Sequence, residues 1–316
     1  MTVEHWYPAS TVKVKPTLAF ILGYLLPSMG ESYASCGTVR FTVQCEGCAD
    51  ESYRLNGCTR AECPICSQTW ARRAANRVAE RMVSAQNQRR RLKRFKPRHI
   101  MLSIPPSLYD LPYNDLLTRG RELMKSITKN GGGLYIGHPW RFVDINGDTV
   151  DWKHCSLNLK AESPIIESFG VLGPHLHFIM WGHLEDSAQV FERTGWVYRN
   201  LGTLNTREDI FACAYYQLSH CGIHATRHAL RWWGFMSYNN FVCVSKSQDL
   251  EVQLCPICGG RLWVLDHDGE PFMLYSLTIT RRHFKFKVTQ KRLEPKKRVP
   301  KIHSGDTRHK GRRNVY

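Results

Sequence analysis

No apolar run in the 316-residue chain approaches the ~20 residues that a membrane-spanning helix needs, which excludes a helical membrane protein. No Gly-rich loop ending in Lys-Ser or Lys-Thr is present, so ATP-driven helicase chemistry is not expected. No repeat of fixed period runs through the chain. Acidic residues are scarce against basic ones, Asp+Glu 27 against Lys+Arg 44, for a net charge of +17. The apolar share of 42% is ordinary for a folded chain and excludes a disordered or fibrous one. Residues 1–35 only imitate an export leader. Lys13 and Lys15 come late, the apolar run Leu18 to Leu26 is short, and Pro27 closes it. A cytoplasmic protein is therefore expected.

The positive charge sits in two arms. Arg72 to Arg98 holds eleven Lys/Arg and one acid, net +10, and Arg281 to Tyr316 holds fourteen and two, net +12. Removing both from the +17 total leaves the remaining chain at −5. A mildly acidic body with two basic arms points to a polyanion, and nucleic acid suits it better than a membrane surface.

Twelve cysteines are many for a reducing compartment unless they bind metal. Cys45, Cys48, Cys63 and Cys66 form C-x2-C-x14-C-x2-C, a zinc-knuckle spacing in which each tight turn aims two thiolates at one ion. Cys58 could replace one of them, and Cys36 reads as a bystander. Cys243 with Cys255 and Cys258 offers three thiolates of a second zinc site, its fourth ligand open. Cys155, Cys213 and Cys221 read as small buried apolar residues.

The expected layout has five parts. Residues 1–35 carry no clear motif. Residues 36–95 form a zinc knuckle and a basic helix over Gln68 to Arg94, a stretch without Pro or Gly in which Trp70, Ala74, Val78 and Met82 keep helical spacing. Residues 96–241 alternate β-like runs (His99 to Ile104, Leu134 to Ile136, Arg141 to Ile145, Trp152 to Lys160, His175 to Trp181) with helices over Leu116 to Lys129, stopped by Gly131-Gly-Gly133, and over Arg207 to Cys221. Asn146-Gly147 marks a hairpin turn. Residues 242–280 read as a zinc ribbon and 281–316 as a disordered basic tail. The class is α+β with a central, largely antiparallel sheet flanked by zinc-knuckle and ribbon segments.

Chemistry concentrates at two places. His175 and His177 stand two apart in a strand, so both imidazoles face one side, about 6.6 Å apart along it, and can close on one divalent cation. With 14 histidines in the chain, such a pair alone is close to what chance supplies. The second place is the helix Ala212 to Cys221, wound at 100° per residue with Tyr216 at 0°. Ile210, Phe211, Ala214, Leu218 and Cys221 then share a buried stripe opposite Tyr216. Tyr215 lies on its flank as a packing tyrosine, and His220 lies near Tyr216. An outward tyrosine following a metal-binding His-x-His strand suits a phosphodiester nuclease. The cation, Mg²⁺ or Mn²⁺, neutralises charge on the phosphate and the phenol attacks phosphorus.

His-hydrophobe-His followed by a helical tyrosine resembles the HUH endonuclease superfamily. Arg98-His-Ile-Met-Leu-Ser-Ile-Pro-Pro106, Ile136-Gly-His-Pro-Trp-Arg141, Gly173-Pro-His-Leu-His-Phe178, Thr194-Gly-Trp-Val-Tyr-Arg-Asn-Leu-Gly202, Tyr216-Gln-Leu-Ser-His-Cys-Gly222 and Ser237-Tyr-Asn-Asn240 stand in the order seen in rolling-circle replication initiators of archaeal plasmids and related viruses. Cys63-Pro-Ile-Cys66 and Cys255-Pro-Ile-Cys258 are similar to their zinc segments. The resemblance covers about residues 45–260. It implies an HUH domain with His175 and His177 as metal ligands and Tyr216 as the single nucleophile. The implied reaction nicks and rejoins single-stranded origin DNA through a 5′-phosphotyrosine, with double-stranded origin DNA, a host helicase and a polymerase as partners. A third polar ligand is implied, with Glu162, His138 and His220 as candidates; His220 can equally serve as tyrosine activator or cap. Trp140, Trp232 and Trp233 read as core more than as base-stacking platforms, and Arg141 suits either a phosphate or an ion pair. Two other readings stand beside this one: a non-enzymatic zinc-knuckle protein binding nucleic acid, and a transposase or relaxase of the same superfamily.

Overall fold

The computed structural model describes residues 20–21, 23–32, 34–158, 160–243, 255, 257, 258, 260, 262–265 and 271–272. The basic tail from 281 and most of the N-terminal segment lie outside them. Along the chain run β1 (Phe20–Ile21), β2 (Tyr24–Leu25), β3 (Val39–Cys45), β4 (Glu51–Leu55), α1 (Ser67–Gln88), β5 (Arg98–Ser103), α2 (Tyr113–Ser126), β6 (Thr128–Val143), β7 (Phe169–Leu184), α3 (Ser187–Thr194), β8 (Val197–Thr203), α4 (Arg207–Ser219), β9 (Leu230–Gly234), β10 (Leu262–Leu265) and β11 (Pro271–Phe272). The chain divides into two compact units, Met1–Thr38 with Leu55–Gln248 and Val39–Arg54 with Asp249–Tyr316. The expected segment 36–95 is thus split. Its helix belongs to the larger unit because the Ala-rich face of α1 packs on α4, and its first cysteine pair belongs to the smaller.

The larger unit is a mixed α/β fold around a five-stranded antiparallel sheet in the order β8-β5-β7-β6-β9. Strand alternation sorts side chains onto two faces. Ile100 and Leu102 of β5 and Leu176, Phe178 and Met180 of β7 meet Leu116, Leu117 and Met124 of α2 in one core. Leu134, Ile136, Ile179 and Trp181 face the other way, toward α4 and α1. On α1 the buried residues at the contact are mostly alanines, which lets two helices approach closely. The register shifts between His138 and Trp140, a bulge that holds Pro139. Before it Leu134 and Ile136 face α4, and after it Trp140 and Phe142 join the other core.

The helix α4 starts on a capping box, in which Thr206 Oγ1 accepts from the Asp209 N–H and the Asp209 carboxylate accepts from the Thr206 N–H. Gly131-Gly-Gly133, expected to stop a helix, runs inside β6. A Cβ at Gly133 would lie 2.1 Å from the Ile179 carbonyl oxygen, so glycine is what lets β6 approach β7. The two expected runs Leu134–Ile136 and Arg141–Ile145 are one strand, because the bulge absorbs Pro139. The helix expected to reach Arg94 ends at Gln88. Arg89 is extended and a 3-10 turn follows over Arg90–Arg94, which buries Leu92 and breaks up a run of like charges. The strand expected over Trp152 to Lys160 is a series of turns, since Cys155 N–H donates to Trp152 O and Asn158 N–H to Cys155 O instead of to a ladder. In the smaller unit β11-β10-β3-β4 form a four-stranded sheet, with Leu262–Leu265 antiparallel to Thr42–Cys45. No helix among the described residues is long and apolar enough to cross a membrane.

Candidate active site and metal-binding clusters

The face of the sheet that meets α4 carries the histidines. His138 on β6 and His175 on β7 are directly opposed in the ladder, and their rings stack at 5.1 Å. His177, two residues on, lies on the same face, 5.1 Å from the His175 ring and 4.9 Å from the His138 ring. One nitrogen of each of the three lies within 4.8 Å of the others. This brings His175 and His177 together as the sequence suggests, and selects His138 among the three candidates for a third ligand. Glu162 is exposed and outside the group, its backbone engaged with Lys153 and His154. His220 is also outside it. Its Nδ1 donates to the Tyr216 carbonyl at 2.8 Å, so it serves as a cap at the end of α4, and its ring stacks on Trp152.

The hydrogen bonds show which atoms are free. His175 Nδ1 lies 2.8 Å from the Gly173 carbonyl oxygen, which can only accept, so the proton is on Nδ1 and the lone pair on Nε2. His138 is fully buried, and neither of its ring nitrogens has a hydrogen-bond partner among the described residues. An imidazole in that state costs free energy unless something else engages it. Burial leads the causes that keep the group neutral. It brings His175 down to about 3 and His99 and His220 to about 4, and it holds His138 and His177 well below the ordinary value, with the neighbouring imidazoles adding to it. Neutral imidazoles with free nitrogens are the form that ligates metal, so this triad fits a divalent cation.

Tyr216 lies at the same place. A cleft of about 320 Å³ is lined by His99, His177, Leu201, Gly202, Tyr216 and Gln217. Tyr216 is half-buried against the core, not fully turned to solvent, and its ring meets His220 edge-on at 4.9 Å. Its hydroxyl donates to Asp151 Oδ1 at 2.8 Å. Burial, then the Asp151 carboxylate, pushes the phenol above its usual range, so Tyr216 rests protonated. Burial works against the Asp151 charge, but the Lys153 N–H and the Tyr216 hydroxyl outweigh it and hold the carboxyl below its ordinary range. Tyr215 points elsewhere: its ring lies parallel to Phe211 at 5.9 Å, in the core shared by α4 and α1. Two other expectations resolve simply. Trp140 and Trp233 are buried core residues, and Arg141 donates to Ser103 Oγ.

Three site residues escape the sequence reading. Asp151 carries no motif. His99 stands in a recognised strand, but the register that pairs Met101 with His177, and so brings His99 to the site, is not written in the sequence. Gln217 falls on the helical wheel at the border of the buried stripe, where a polar residue asks for a partner.

The cysteines gather into two groups of four, differently from the expected pairing. Cys36, Cys58, Cys63 and Cys66 form one, and Cys45, Cys48, Cys255 and Cys258 the other. The first has Sγ–Sγ separations of 3.2, 3.6 and 3.8 Å from Cys36 to Cys66, Cys63 and Cys58; the second has 3.3 Å for Cys45–Cys258 and 3.7 Å for Cys48–Cys255. Tetrahedral zinc with ~2.3 Å Zn–S bonds needs sulfurs about 3.8 Å apart, so either group fits. The pairing C-x2-C-x14-C-x2-C fails because β3 and β4 carry Cys45 and Cys48 into the smaller unit, where β10 pairs with β3. Cys36 is a member and not a bystander, Cys58 is a full ligand candidate, and Cys243 belongs to neither group. Backbone N–H groups at Cys48 and Gly47 hold the Cys45 thiol down at about 7 despite burial. Burial likewise opposes ionisation of Cys58, and the Arg60 N–H and the neighbouring thiols bring it to about 7. None of the twelve cysteines, all among the described residues, is in a disulfide.

No known protein family, curated protein or solved structure matches this chain.

Proposed function

We propose that this chain is an HUH-superfamily initiator of rolling-circle replication, which nicks and rejoins single-stranded origin DNA through Tyr216. One observation carries the reading: His138, His175 and His177 form a buried triad whose ring nitrogens lie within 4.8 Å of one another, and its member His177 lines the cleft that Tyr216 also lines. Mg²⁺ or Mn²⁺ held there would neutralise charge on a non-bridging phosphate oxygen. The residues of the chain do the rest. The cleft takes the strand at the scissile phosphate. The Tyr216 oxygen forms its bond to phosphorus as the bond from phosphorus to the 3′ oxygen breaks. The phenol proton passes to Asp151, whose Oδ1 already accepts it as a hydrogen bond, and the departing 3′ oxygen takes a proton from water. DNA remains on Tyr216 through its 5′ phosphate, and the free 3′ hydroxyl serves as primer. Attack by a 3′ hydroxyl reverses the step, so rejoining needs no ATP.

Structural Zn²⁺ in the two four-cysteine groups fits this role, and so does the exposed basic row Arg72, Arg73 and Arg77 on α1 as a phosphate-contacting surface with strong salt dependence. A host helicase and polymerase supply unwinding and synthesis. The test is cleavage of single-stranded oligonucleotides tiled from the neighbouring DNA, with Mn²⁺, on a denaturing gel. A covalent protein–DNA band should form with wild type and Tyr215→Phe and vanish with Tyr216→Phe. Loss with Tyr215→Phe alone would move the nucleophile. Salt-sensitive binding with no band from any oligonucleotide would overturn the enzymatic reading in favour of a zinc-bearing nucleic-acid-binding protein.

A further inference from the structure

His99 and Gln217 touch the triad without belonging to it. His99 Nε2 lies 2.8 Å from His177 Nδ1, and Gln217 Nε2 lies 3.4 Å from the same His99 nitrogen. The strand register explains the first contact: Met101 pairs with His177, so His99, two residues before it, projects on the same face diagonally from His177. The second contact comes from α4, where Gln217 follows Tyr216 and is 2% exposed.

These contacts form a chain of proton assignments. A side-chain amide nitrogen only donates. In this amide orientation His99 Nε2 carries no hydrogen and has its proton on Nδ1; its single lone pair meets the Gln217 N–H only weakly, at 3.4 Å, and points mainly to the shorter contact. The contact at 2.8 Å then needs its hydrogen from His177 Nδ1. A neutral imidazole protonated on Nδ1 keeps its lone pair on Nε2, the state His175 reaches through the Gly173 carbonyl. We propose that Gln217 and His99 are positioning residues that set the tautomer and ring angle of His177, so that the helix bearing Tyr216 also prepares the metal site. This rests on the reading of His138, His175 and His177 as cation ligands. The rival arrangement turns the Gln217 amide over. Its Oε1, which has no hydrogen-bond partner among the described residues, would accept from His99 Nε2–H. His177 Nδ1 would become an acceptor too, its proton would move to Nε2, and the third ligand would be lost.

The two arrangements differ by the placement of one proton on each ring, which long-range ¹⁵N–¹H NMR of the imidazoles reads directly. The full-length protein with two equivalents of zinc, enough for the two four-cysteine groups alone, and no other divalent ion should show Nδ1–H on both His99 and His177. Nε2–H on His177 overturns the proposal. Calorimetric titration with Mn²⁺ gives a second readout. His99→Leu should weaken binding by about 10- to 100-fold, the range for loss of a group that orients a metal ligand. His99→Gln, whose amide oxygen can accept from His177 Nδ1–H, should recover most of that loss. Equal weakening by both variants would reduce His99 to a packing role and overturn the proposal. If the wild type takes up no Mn²⁺ at all, the ligand reading fails instead, and the NMR spectrum still decides the tautomers.

Discussion

In the absence of a divalent cation at the triad, the protein should lose stability steeply between pH 6.5 and pH 5. Burial lowers His175 to about 3 and His99 and His220 to about 4, against 6.5 in the unfolded chain. Between those values the unfolded chain binds protons that the folded chain refuses, so stability falls as pH falls and is complete only above 6.5. At pH 5 each of the three lies 1.5 pH units below its unfolded value. At ~1.4 kcal/mol per unit that is about 2 kcal/mol apiece and about 6 kcal/mol together. A domain has roughly 5–15 kcal/mol in total, so the effect is a large share of it. His138 and His177, displaced in the same direction, add to the loss. The assay is urea denaturation at pH 7, 6 and 5, read by tryptophan fluorescence, with released zinc followed by a chromogenic chelator to separate thiolate protonation from histidine protonation. His220→Gln should make the dependence shallower by about one proton. A decline of less than about 2 kcal/mol by pH 5, with zinc retained, would refute the idea that these imidazoles are buried and neutral.

Zinc content tests the cysteine partition: wild type should carry two zinc ions per chain by elemental analysis, Cys36→Ser one, and Cys243→Ser still two; full zinc in Cys36→Ser would restore the sequence-based pairing. Asp151→Asn removes the acceptor for the Tyr216 proton while keeping its shape, so kcat for nicking should fall about 100-fold with KM little changed, and an unaltered kcat would exclude Asp151 from the proton path. Gly133→Ala should lower stability by about 1–3 kcal/mol or more in chemical denaturation, because the new Cβ would lie 2.1 Å from the Ile179 carbonyl oxygen; an unchanged midpoint would mean that β6 and β7 separate freely.

What could be read from the sequence followed from local periodicity. The strand at His99, the His-x-His strand and the helix with Tyr216 all declare themselves in runs of a few residues; the first and last lie close to their expected bounds, while the His-x-His strand extends well past the expected His175 to Trp181, over Phe169–Leu184. The helical wheel places Tyr215 and Tyr216 on different sides of α4, and they pack against different cores, while Ile210, Ala214 and Leu218 form its buried stripe. The wheel treats the rest of the helix as solvent, and there it fails. α4 lies against a sheet as well as against α1, so Tyr216 is half-buried and Gln217 is enclosed. The pairing of cysteines was illegible for a different reason. Spacing along the chain finds the turns that carry two thiolates, and says nothing about which two turns meet. Here the ladder between β3 and β10 joins residues more than two hundred positions apart.

The histidine cluster itself separates the competing readings. His138, His175 and His177 are buried, and among the described residues no carboxylate is close enough to join them as a group. His99 and His220 pack on them at 4.5 to 5.0 Å between ring centres. A nucleic-acid-binding protein with only structural zinc in its cysteine groups has no use for this. Its stability would improve if His138, whose ring makes no hydrogen bond among the described residues, were an apolar side chain of similar size. The bulge at Pro139 brings the histidine onto this face at the last position before the strand changes phase. His175 is turned by the Gly173 carbonyl so that its lone pair is kept free. A strand distortion and a fixed tautomer, both directed at one point beside Tyr216, favour a bound cation over incidental packing.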